Sequence, residues 1–413
     1  MLAYKKVLVL FLTIFCLNIG YSQQDTLFWF AAPNISNGIG ESPIYLRLLS
    51  YDAPATVTIS QPANGAFLPI TVNLPANGLD SVNLTAFIAQ IESPAANVIA
   101  TTGLKISSTS DISAFYEVKT SSNKEVFSLK GTKALGTNFY TPFQKFWSTA
   151  VTAPVSFSSF EIVATEDNTT ILITPRTAIT GHAINVTFSV VLDKGETYSA
   201  RDMNNSSASS LAGSIVSADH PVAITTFDGA LSNSTCTDVS GDQITSTDFI
   251  GTDYIVHKGT GSTDRVYVLA TQNGTGISVY NSTTTSTLIN WSETYEYALT
   301  EGVNYIKTTK PVYLLHVSGY GCEMSAAQVP NLYCAGTYST AFTRSSSDSL
   351  AVILYTRSGF ENMFTLNGAS GVINAGAFST VPGTSGNFKV ARITLNTTDV
   401  PVNSYNIIEN TGD

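Results

Sequence analysis

Three short phrases recur in one order along the chain, and this repetition limits the fold more than any other feature. The first phrase, typified by "SFEIVATEDNTTILI", reads as a strand, a polar turn and a second strand, and its copies begin at Ser158, Asp264 and Asp348. The second phrase, a strand and polar turn followed by Pro or Asp and another strand, begins at Gly103, Gly213, Val303 and Ala391. The third phrase begins at Leu135, Ile250 and Ala335. Pro221, Pro311 and Pro401 lie about ninety residues apart, a spacing that indicates a repeated supersecondary unit.

The residues within and between these phrases predict strands almost everywhere. Short alternating runs of Val, Ile, Thr and Tyr are separated by Gly, Asn, Asp and Pro, which is the pattern of antiparallel sheets and their turns. Only Leu84 to Ile91, with apolar positions three and four apart, indicates a helix. The predicted fold class is therefore all-β.

Four repeated units of antiparallel sheet account for the mature chain. Their approximate bounds are 23–145, 146–259, 260–345 and 346–413. No Gly/Ser-rich or Pro-rich linker separates them, which favours a β-propeller-like arrangement over the alternative of tandem β-sandwiches. Pro221 and Pro311 are expected to start strands, where a missing N–H costs no ladder bond.

The first residues have the features of a secretory leader. Lys5 and Lys6 precede an apolar run over residues 7–19, and small residues follow up to Ser22. The run is short for a transmembrane helix, and no later segment has the apolar length of a membrane span. We therefore predict a signal peptide over residues 1–22, cleavage near Ser22, and a mature chain that is secreted or held at the cell surface.

The charge of the chain disfavours one class of partner. The formal net charge is -10, and only 12% of the residues are charged. Nucleic acid is bound through clustered Lys and Arg that neutralise its phosphates, so no nucleic-acid partner is expected. The sequence leaves the oligomeric state open.

Three cysteines remain after removal of the leader, namely Cys236, Cys322 and Cys334. Cys322 and Cys334 bracket the loop "CEMSAAQVPNLYC", in which Pro330 turns the chain back, and export permits disulfides. We therefore predict a disulfide between Cys322 and Cys334, with Cys236 either free or the competing partner. No histidine lies at ligand spacing from a cysteine, so no metal centre is expected.

Two long insertions between the second and third phrases carry the candidate binding residues. They are "DGALSNSTCTDVSGDQITSTD" in the second unit and "GYGCEMSAAQVPNLYC" in the third. Loops that a scaffold does not need are where binding tends to occur. The candidate ligand-binding residues are Asp238, Asp242, Gln243, Tyr320, Glu323, Gln328 and Tyr333. The alternative is that these loops pack on each other and that their acids form turns in contact with solvent.

Calcium is the one cofactor that these insertions suggest. Asp238 and Asp242 are separated by a segment that contains Gly241. Their spacing does not follow the twelve-residue loop of helical calcium sites. The main expectation is therefore no cofactor, with calcium as the alternative.

Five segments together resemble the IgGFc-binding protein N-terminal domain family. They are "FEIVATEDNTTILITP", "LDKGETYSARD", "LAGSIVSADHPVAI", "DQITSTDFIGTDYIV" and "CEMSAAQVPNLYCAG", and their order carries the likeness over most of residues 28–408. The resemblance implies an extracellular recognition or adhesion module rather than an enzyme. The partner that it implies is an extracellular glycoprotein or glycan, such as a mucin, an immunoglobulin or a polysaccharide.

A glycan-active hydrolase and a structural repeat of a surface layer are the alternative functions. The chain has no G-x-S-x-G elbow, no H-E-x-x-H and no phosphate-cradling loop. Asp167, Asp242 and Glu323 are available as paired carboxylates, but their spacing neither supports nor excludes such a site. We therefore expect no catalytic residues, while the abundant Thr and Asn are compatible with a surface layer.

Overall fold

Strands and turns make up nearly all of the structure, a computed structural model that describes residues 24–35, 40–120, 123–204, 206–233, 236–261, 264–333 and 336–412. The predicted signal peptide and Cys334 lie outside these residues. The predicted helix is confirmed, since a 3-10 turn over Thr85–Phe87 continues into α1 (Ile88–Ile91). Other 3-10 turns are Gly131–Ala134, Ser207–Ser209, Thr247–Phe249, Glu361–Met363 and Ala375–Ala377. The all-β fold class is confirmed, and none of the helices within the described ranges has the length and apolar character of a membrane span.

The first unit is one sheet that folds over itself along a long strand. Its strands are β1 (Asp25–Phe30), β2 (Ile44–Ser50), β3 (Ala55–Ser60), β4 (Ile70–Leu74), β5 (Leu79–Asn83), β7 (Leu104–Lys119) and β8 (Lys124–Ser128), while β6 (Ile99–Ala100) joins the second unit. The first half of β7 pairs with β1 and β3, and its second half pairs with β2 and β8. Apolar side chains from both halves, including Phe30, Leu46, Ile59 and Tyr116, meet in one core.

The second unit repeats this arrangement. Its strands are β9 (Gly136–Tyr140), β10 (Ser148–Thr149), β11 (Ser158–Ala164), β12 (Thr169–Thr174), β13 (Phe188–Leu192), β14 (Thr197–Arg201), β15 (Ile215–Ser232) and β16 (Thr237–Ile244). The first half of β15 pairs with β9 and β12, and its second half pairs with β11 and β16. Because β11 and β12 pair with different halves of β15, the first phrase is an arch between the two layers of the unit.

The third unit has the same topology around its own long strand. Its strands are β17 (Gly251–His257), β18 (Thr260–Gly261), β19 (Arg265–Ala270), β20 (Thr275–Tyr280), β21 (Thr284–Ile289), β22 (Thr294–Ala298), β23 (Val303–Gly321) and β24 (Glu323–Gln328). The first half of β23 pairs with β17 and β20, and its second half pairs with β19 and β24. The third phrase thus opens a unit, since β9 and β17 pair with the long strands that follow them, so the second and third units start at Gly136 and Gly251 and not at the predicted residues 146 and 260.

The fourth unit departs from this plan. Its strands are β25 (Ser339–Phe342), β26 (Leu350–Arg357), β27 (Phe364–Leu366), β28 (Ala369–Ser370), β29 (Ser379–Thr380), β30 (Phe388–Leu395) and β31 (Asn406–Asn410). Strands β25, β31, β27 and β28 form one sheet, and β26, β30 and β29 form another. The prediction that the segment from Ala391 repeats the second phrase is wrong, because β30 and β31 belong to different sheets and Pro401 lies in the connection between them.

Pro221 and Pro311 lie within the long strands, so the prediction that they start strands is also wrong. Each lies near the point where the long strand changes partners. The register of β9 against β15 shifts between Ser217 and Val222, and that of β17 against β23 shifts at the equivalent place. The missing proline N–H costs no ladder bond there, because the ladder is already interrupted.

The first and second phrases meet in the same way in the second and third units. The Thr165 hydroxyl donates to the Pro221 carbonyl at 2.7 Å, and the Thr271 hydroxyl donates to the Pro311 carbonyl at 2.8 Å. The turns beside them contain a second matched pair of threonine-to-carbonyl hydrogen bonds. The two phrases therefore occupy equivalent backbone settings, as a copied unit requires.

Each unit packs against the next, and the fourth packs against the first. Four apolar clusters cross the four junctions; members of these clusters, taken in chain order, are Trp29 and Val163, Leu231 and Met324, Tyr305 and Val390, and Leu49 and Ala341. The return of the fourth unit to the first agrees with a propeller-like closure. Each of the first three units is nevertheless a folded sheet with its own core, and the fourth is a pair of sheets around its own core, so none is a flat blade.

Candidate functional site

Three strands pack side by side where the first three units meet. They are β8, β16 and β24, each of which pairs with the second half of a long strand, and we name them the seam. The two insertions predicted as binding loops form the hairpins that contain β16 and β24. Much of the predicted loop sequence is therefore strand, and β16 is buried over nearly its whole length.

Four of the candidate binding residues are buried in the seam. Asp238, Asp242 and Gln243 lie on β16, and Gln328 lies on β24. The main-chain N–H of Gln328 donates to Asp242 Oδ2 at 3.0 Å, and the Gln243 side chain donates to the Trp29 carbonyl at 2.7 Å. These polar groups satisfy one another across the unit boundaries, so their contacts join the units.

Two acidic side chains, Asp242 and Glu125, are buried in the seam. Asp242 Oδ2 lies 2.6 Å from the Nζ atom of Lys130, which is two residues after the end of β8. Burial raises the pKa of Asp242, and the ammonium of Lys130 acts in the opposite direction. Burial also raises the pKa of Glu125 to about 8, although the Ser325 hydroxyl donates to its carboxylate at 2.8 Å. At neutral pH Glu125 is therefore mostly protonated.

The tips of the two hairpins are joined covalently. Cys236 and Cys322 form a disulfide with a Cα–Cα distance of 5.6 Å. The predicted pairing of Cys322 with Cys334 is wrong, and the partner is the competing residue, Cys236. The reason is spatial: β16 and β24 lie side by side, so their outer ends bring together cysteines from neighbouring units.

The surface at this disulfide is polar and aromatic. Tyr320 is 64% exposed, and Glu323 is exposed directly after Cys322. Burial raises the pKa of Asp238 to about 8, and the neighbouring Glu323 adds to the shift. We name Cys236, Tyr320, Cys322 and Glu323 the hairpin tip. Two of the candidate binding residues, Tyr320 and Glu323, thus reach the surface in a covalently fixed setting.

Tyr333 lies beyond the opposite end of β24 from the hairpin tip. It is 67% exposed. Its ring meets the Phe388 ring of the fourth unit edge-on, with centroids 6.2 Å apart. The structure therefore does not bring Tyr333 together with Tyr320 and Glu323.

Metal-ligating side chains come within reach of one another at one place in the described part of the chain. The set is Cys236, Cys322 and Glu323. Because both sulfurs belong to the disulfide, neither is available as a thiolate ligand. Asp238 and Asp242, considered above for calcium, have different partners in the seam. Calcium binding stays a prediction.

A small recess in the second unit was not predicted from the sequence. Two of its lining side chains are the buried Asp202 and Asp228, with Ser158 between them. The Ser158 N–H donates to Asp202 at 3.1 Å, and its hydroxyl donates to Asp228. Burial raises the pKa of Asp202 to about 7 and that of Asp228 to about 6. The carboxyls come from separate segments, so no sequence spacing indicated them; they can hold a proton or accept hydrogen bonds from a bound group.

His316 and His220, two of the four histidines, do not form a catalytic relay. His316 Nε2 lies 3.5 Å from Asp264 Oδ2, and the Ser318 hydroxyl donates to the same oxygen at 2.8 Å. Serine and histidine thus share one carboxylate, whereas a catalytic relay places the histidine between the nucleophile and the acid. His220 lies on the surface beside Asp219.

A family comparison identifies the class of the protein. The family model of the IgGFc binding protein matches residues 126–408, which is most of the chain. The chain belongs to the IgGFc-binding protein family, and the resemblance based on its five segments is confirmed. This is a family of binding modules and not a known enzyme family. The match begins within β8, yet the first unit has the topology of the second and third, so the repeat of this chain starts before the matched residues.

Other comparisons add little. No curated protein matches the chain. Among solved structures, a tetra-tandem repeat in the extending region of a large adhesion protein aligns with 90% of this chain and 88% of its own, at 11% identity and a TM-score of 0.10. A TM-score this low carries no conclusion about fold or function.

Proposed function

We propose that the protein is an extracellular recognition or adhesion module that binds a glycoprotein or glycan through the hairpin tip. Membership of a family of binding modules supports the class of function. The observation that supports the tip is the disulfide between hairpins of two units, which holds an exposed tyrosine beside an exposed carboxylate. A preorganised surface loses less conformational entropy on binding, and tyrosine is enriched among residues that dominate binding energy.

The chemistry of the tip favours a partner with hydroxyl groups. Glu323 provides hydrogen-bond acceptors, and Tyr320 provides an aromatic face and a hydroxyl. A saccharide has hydroxyl donors for the first and apolar C–H faces for the second. Mucins, immunoglobulins and polysaccharides, all of which present saccharides, are the candidate partners.

Binding of the mature chain to immobilised mucin, immunoglobulin and polysaccharide tests the proposal. We expect Tyr320→Ala and Glu323→Ala each to weaken binding at least about tenfold. Tyr333→Ala is the matched control, because Tyr333 is a similarly exposed tyrosine beyond the other end of β24. Thermal melting checks that each variant folds. Unchanged binding by both tip variants, or an equal loss in the control, would contradict the tip as the binding site.

We also infer that the chain acts outside the cell after removal of residues 1–22. The leader features and a disulfide support export. N-terminal sequencing of protein collected from the medium or the cell surface should begin near Gln23. A retained leader would argue against this cleavage.

A further inference from the structure

Lys130 and Asp242 meet at the boundary between the first and second units in a geometry suited to reaction. Lys130 Nζ lies 2.6 Å from Asp242 Oδ2, although the two residues are 112 positions apart in the chain. Their side chains are only 10% and 6% exposed. The Gln243 carbonyl accepts a second hydrogen bond from Nζ, so the amine is fixed against the carboxyl group.

We propose that Lys130 and Asp242 are joined by an intramolecular isopeptide bond. The neutral amine of Lys130 attacks Cγ of Asp242, a C–N bond forms, and one C–O bond of the carboxyl group breaks. The departing oxygen leaves as water, with one proton from the carboxylic acid and one from the amine. No oxidant, reductant or other co-reactant is consumed.

Burial and contact supply the conditions for this step. Holding the amine against the carboxyl replaces an encounter between separate molecules with an intramolecular reaction. Removal from water favours the neutral form of the Asp242 carboxyl group, whose pKa is raised by burial, and this protonated acid is the form that reacts. The product is a neutral amide, so the seam no longer buries two charges.

Glu125 is a buried acid that is close enough to Asp242 for the Asp242 charge to raise its pKa, so it is the candidate for proton transfer. It is buried on β8, and the N–H of Gly241, the residue before Asp242, donates to its carboxylate. Because burial keeps Glu125 protonated at neutral pH, it can give a proton to the departing oxygen and receive one from the amine. The Gln328 N–H, 3.0 Å from Asp242 Oδ2, stabilises the negative charge that develops on that oxygen during attack.

The bond complements the disulfide already described. The isopeptide ties the first unit to the second, as the pairing of Cys236 with Cys322 ties the second to the third. Both links involve β16 or the residue next to it. The hairpin of the second unit is thereby joined covalently to both of its neighbours.

Intact mass spectrometry of the purified mature chain, with its disulfide reduced, tests the proposal. The wild type should be lighter than its sequence by the mass of one water molecule. Lys130→Arg keeps the positive charge but cannot form this amide, so it should have the full sequence mass. Comparison of the two removes any dependence on the point of leader cleavage. Lys124→Arg is the matched control, because Lys124 also contacts an aspartate but is exposed, and it should show the same loss of water as the wild type.

Tryptic digestion locates the bond. Trypsin does not cleave after an acylated lysine, so the segments around Lys130 and Asp242 should be recovered as one branched peptide. A wild type with full sequence mass and normal cleavage after Lys130 would overturn the proposal and leave a buried ion pair. The wild-type mass decides this outcome even if Lys130→Arg fails to fold.

Glu125→Gln tests the proton transfer separately. The substitution keeps the size of the side chain and removes its acid. We expect the isopeptide to form about a hundredfold more slowly, so that freshly purified protein is mostly unlinked and loses water on incubation. A variant that links as fast as the wild type would remove Glu125 from the reaction.

Discussion

The first three units and the fourth are held in the molecule by different kinds of contact. In the seam, buried polar groups face each other across unit boundaries, as Lys130 faces Asp242 and Glu125 faces Ser325. The fourth unit meets the first through a mainly apolar cluster that includes Leu49 and tyrosines. Buried polar groups tolerate little displacement, because an unpaired group costs free energy, whereas apolar junctions adapt more readily. The seam therefore sets the relative positions of the first three units.

This difference follows from the long strands. In each of the first three units, the second half of the long strand pairs with β8, β16 or β24. In the fourth unit, β30 and β31 belong to separate sheets, and the described residues there include no strand that pairs with the seam. Because the described part of the fourth unit contributes no strand to the seam, it joins its neighbours only through the outer faces of its sheets.

Asp242→Ala is expected to have the largest effect on stability. It leaves Lys130 buried without its partner and removes an acceptor from the Gln328 N–H. Breaking a buried pair in this way lowers the free energy of unfolding by about 3–5 kcal/mol. Thermal or urea unfolding measures the loss, whether the two residues are joined by an ion pair or by the proposed amide.

A double variant tests whether the loss of stability in Asp242→Ala comes from an unpaired buried charge or from lost packing. Lys130→Met combined with Asp242→Leu removes both charges together and should recover much of the stability that Asp242→Ala loses. If Asp242→Ala unfolds with the wild type, the seam does not depend on its buried charges. The contrast with the fourth unit would then fail.

Removal of the disulfide is expected to have the second largest effect. The double variant Cys236→Ser with Cys322→Ser should lose about 2–4 kcal/mol of unfolding free energy, since a long loop is no longer closed in the unfolded chain. Cys334→Ser is the control, because it would cause the loss if the pairing predicted from sequence were correct. A peptide map without reduction identifies the linked cysteines directly. Destabilisation by Cys334→Ser alone would contradict the pairing across the seam.

These two sets of contacts show what the sequence can and cannot reveal. The two halves of each long strand are predictable because alternation, turn residues and recurrence are all local features of the chain, but their continuity through the expected polar turn is not. Asp242 and Gln328 resemble loop residues in the sequence, since their partners belong to other segments. The sequence does not show that these polar side chains are buried, because the unit that covers them comes close only in the folded structure.

The same limit explains the other errors. Cys322 and Cys334 are close in the sequence, but the disulfide is decided by two strands that lie side by side. In the fourth unit, β30 pairs with β26 along its whole length, and the chain then turns near Pro401 instead of continuing as a long strand. The recess with Asp202 and Asp228 was not predictable for a related reason, because its carboxyls meet only in the folded unit.

Tyr51→Phe measures a polar contact at the junction of the first and fourth units. The Tyr51 hydroxyl lies 2.7 Å from Ser113 Oγ and accepts from the Ala341 N–H at 3.3 Å. Loss of the hydroxyl leaves a buried N–H without this acceptor, which should cost about 1–2 kcal/mol. Tyr333→Phe, at an exposed tyrosine, is the control and should unfold with the wild type. A loss as large as that of Asp242→Ala would mean that the fourth unit depends on polar contacts as much as the seam does.

Glu125→Gln should change how stability varies with pH. Burial raises the pKa of folded Glu125 from its ordinary value of 4.5 to about 8, so protonation favours the folded chain. The resulting stabilisation is complete below about pH 4.5 and is lost as the pH rises through about 8. The wild-type melting temperature should therefore fall relative to that of Glu125→Gln between these values. Parallel curves for the two proteins would show that Glu125 is not protonated in the folded seam.

Asp348→Ala is expected to have the smallest effect, although it breaks the ion pair between Lys124 of the first unit and the fourth unit. The two side chains are 38% and 64% exposed, so water and salt screen the pair. Such pairs contribute less than about 1 kcal/mol, and we expect even this difference in melting temperature to disappear at high salt. Asp242→Ala breaks a similar Lys–Asp pair that is buried, so the stability losses of the two variants compare an exposed ion pair with a buried one. If Asp348→Ala were as harmful as Tyr51→Phe at high salt, the fourth unit would be positioned by charge, and apolar packing would not explain how it joins the first.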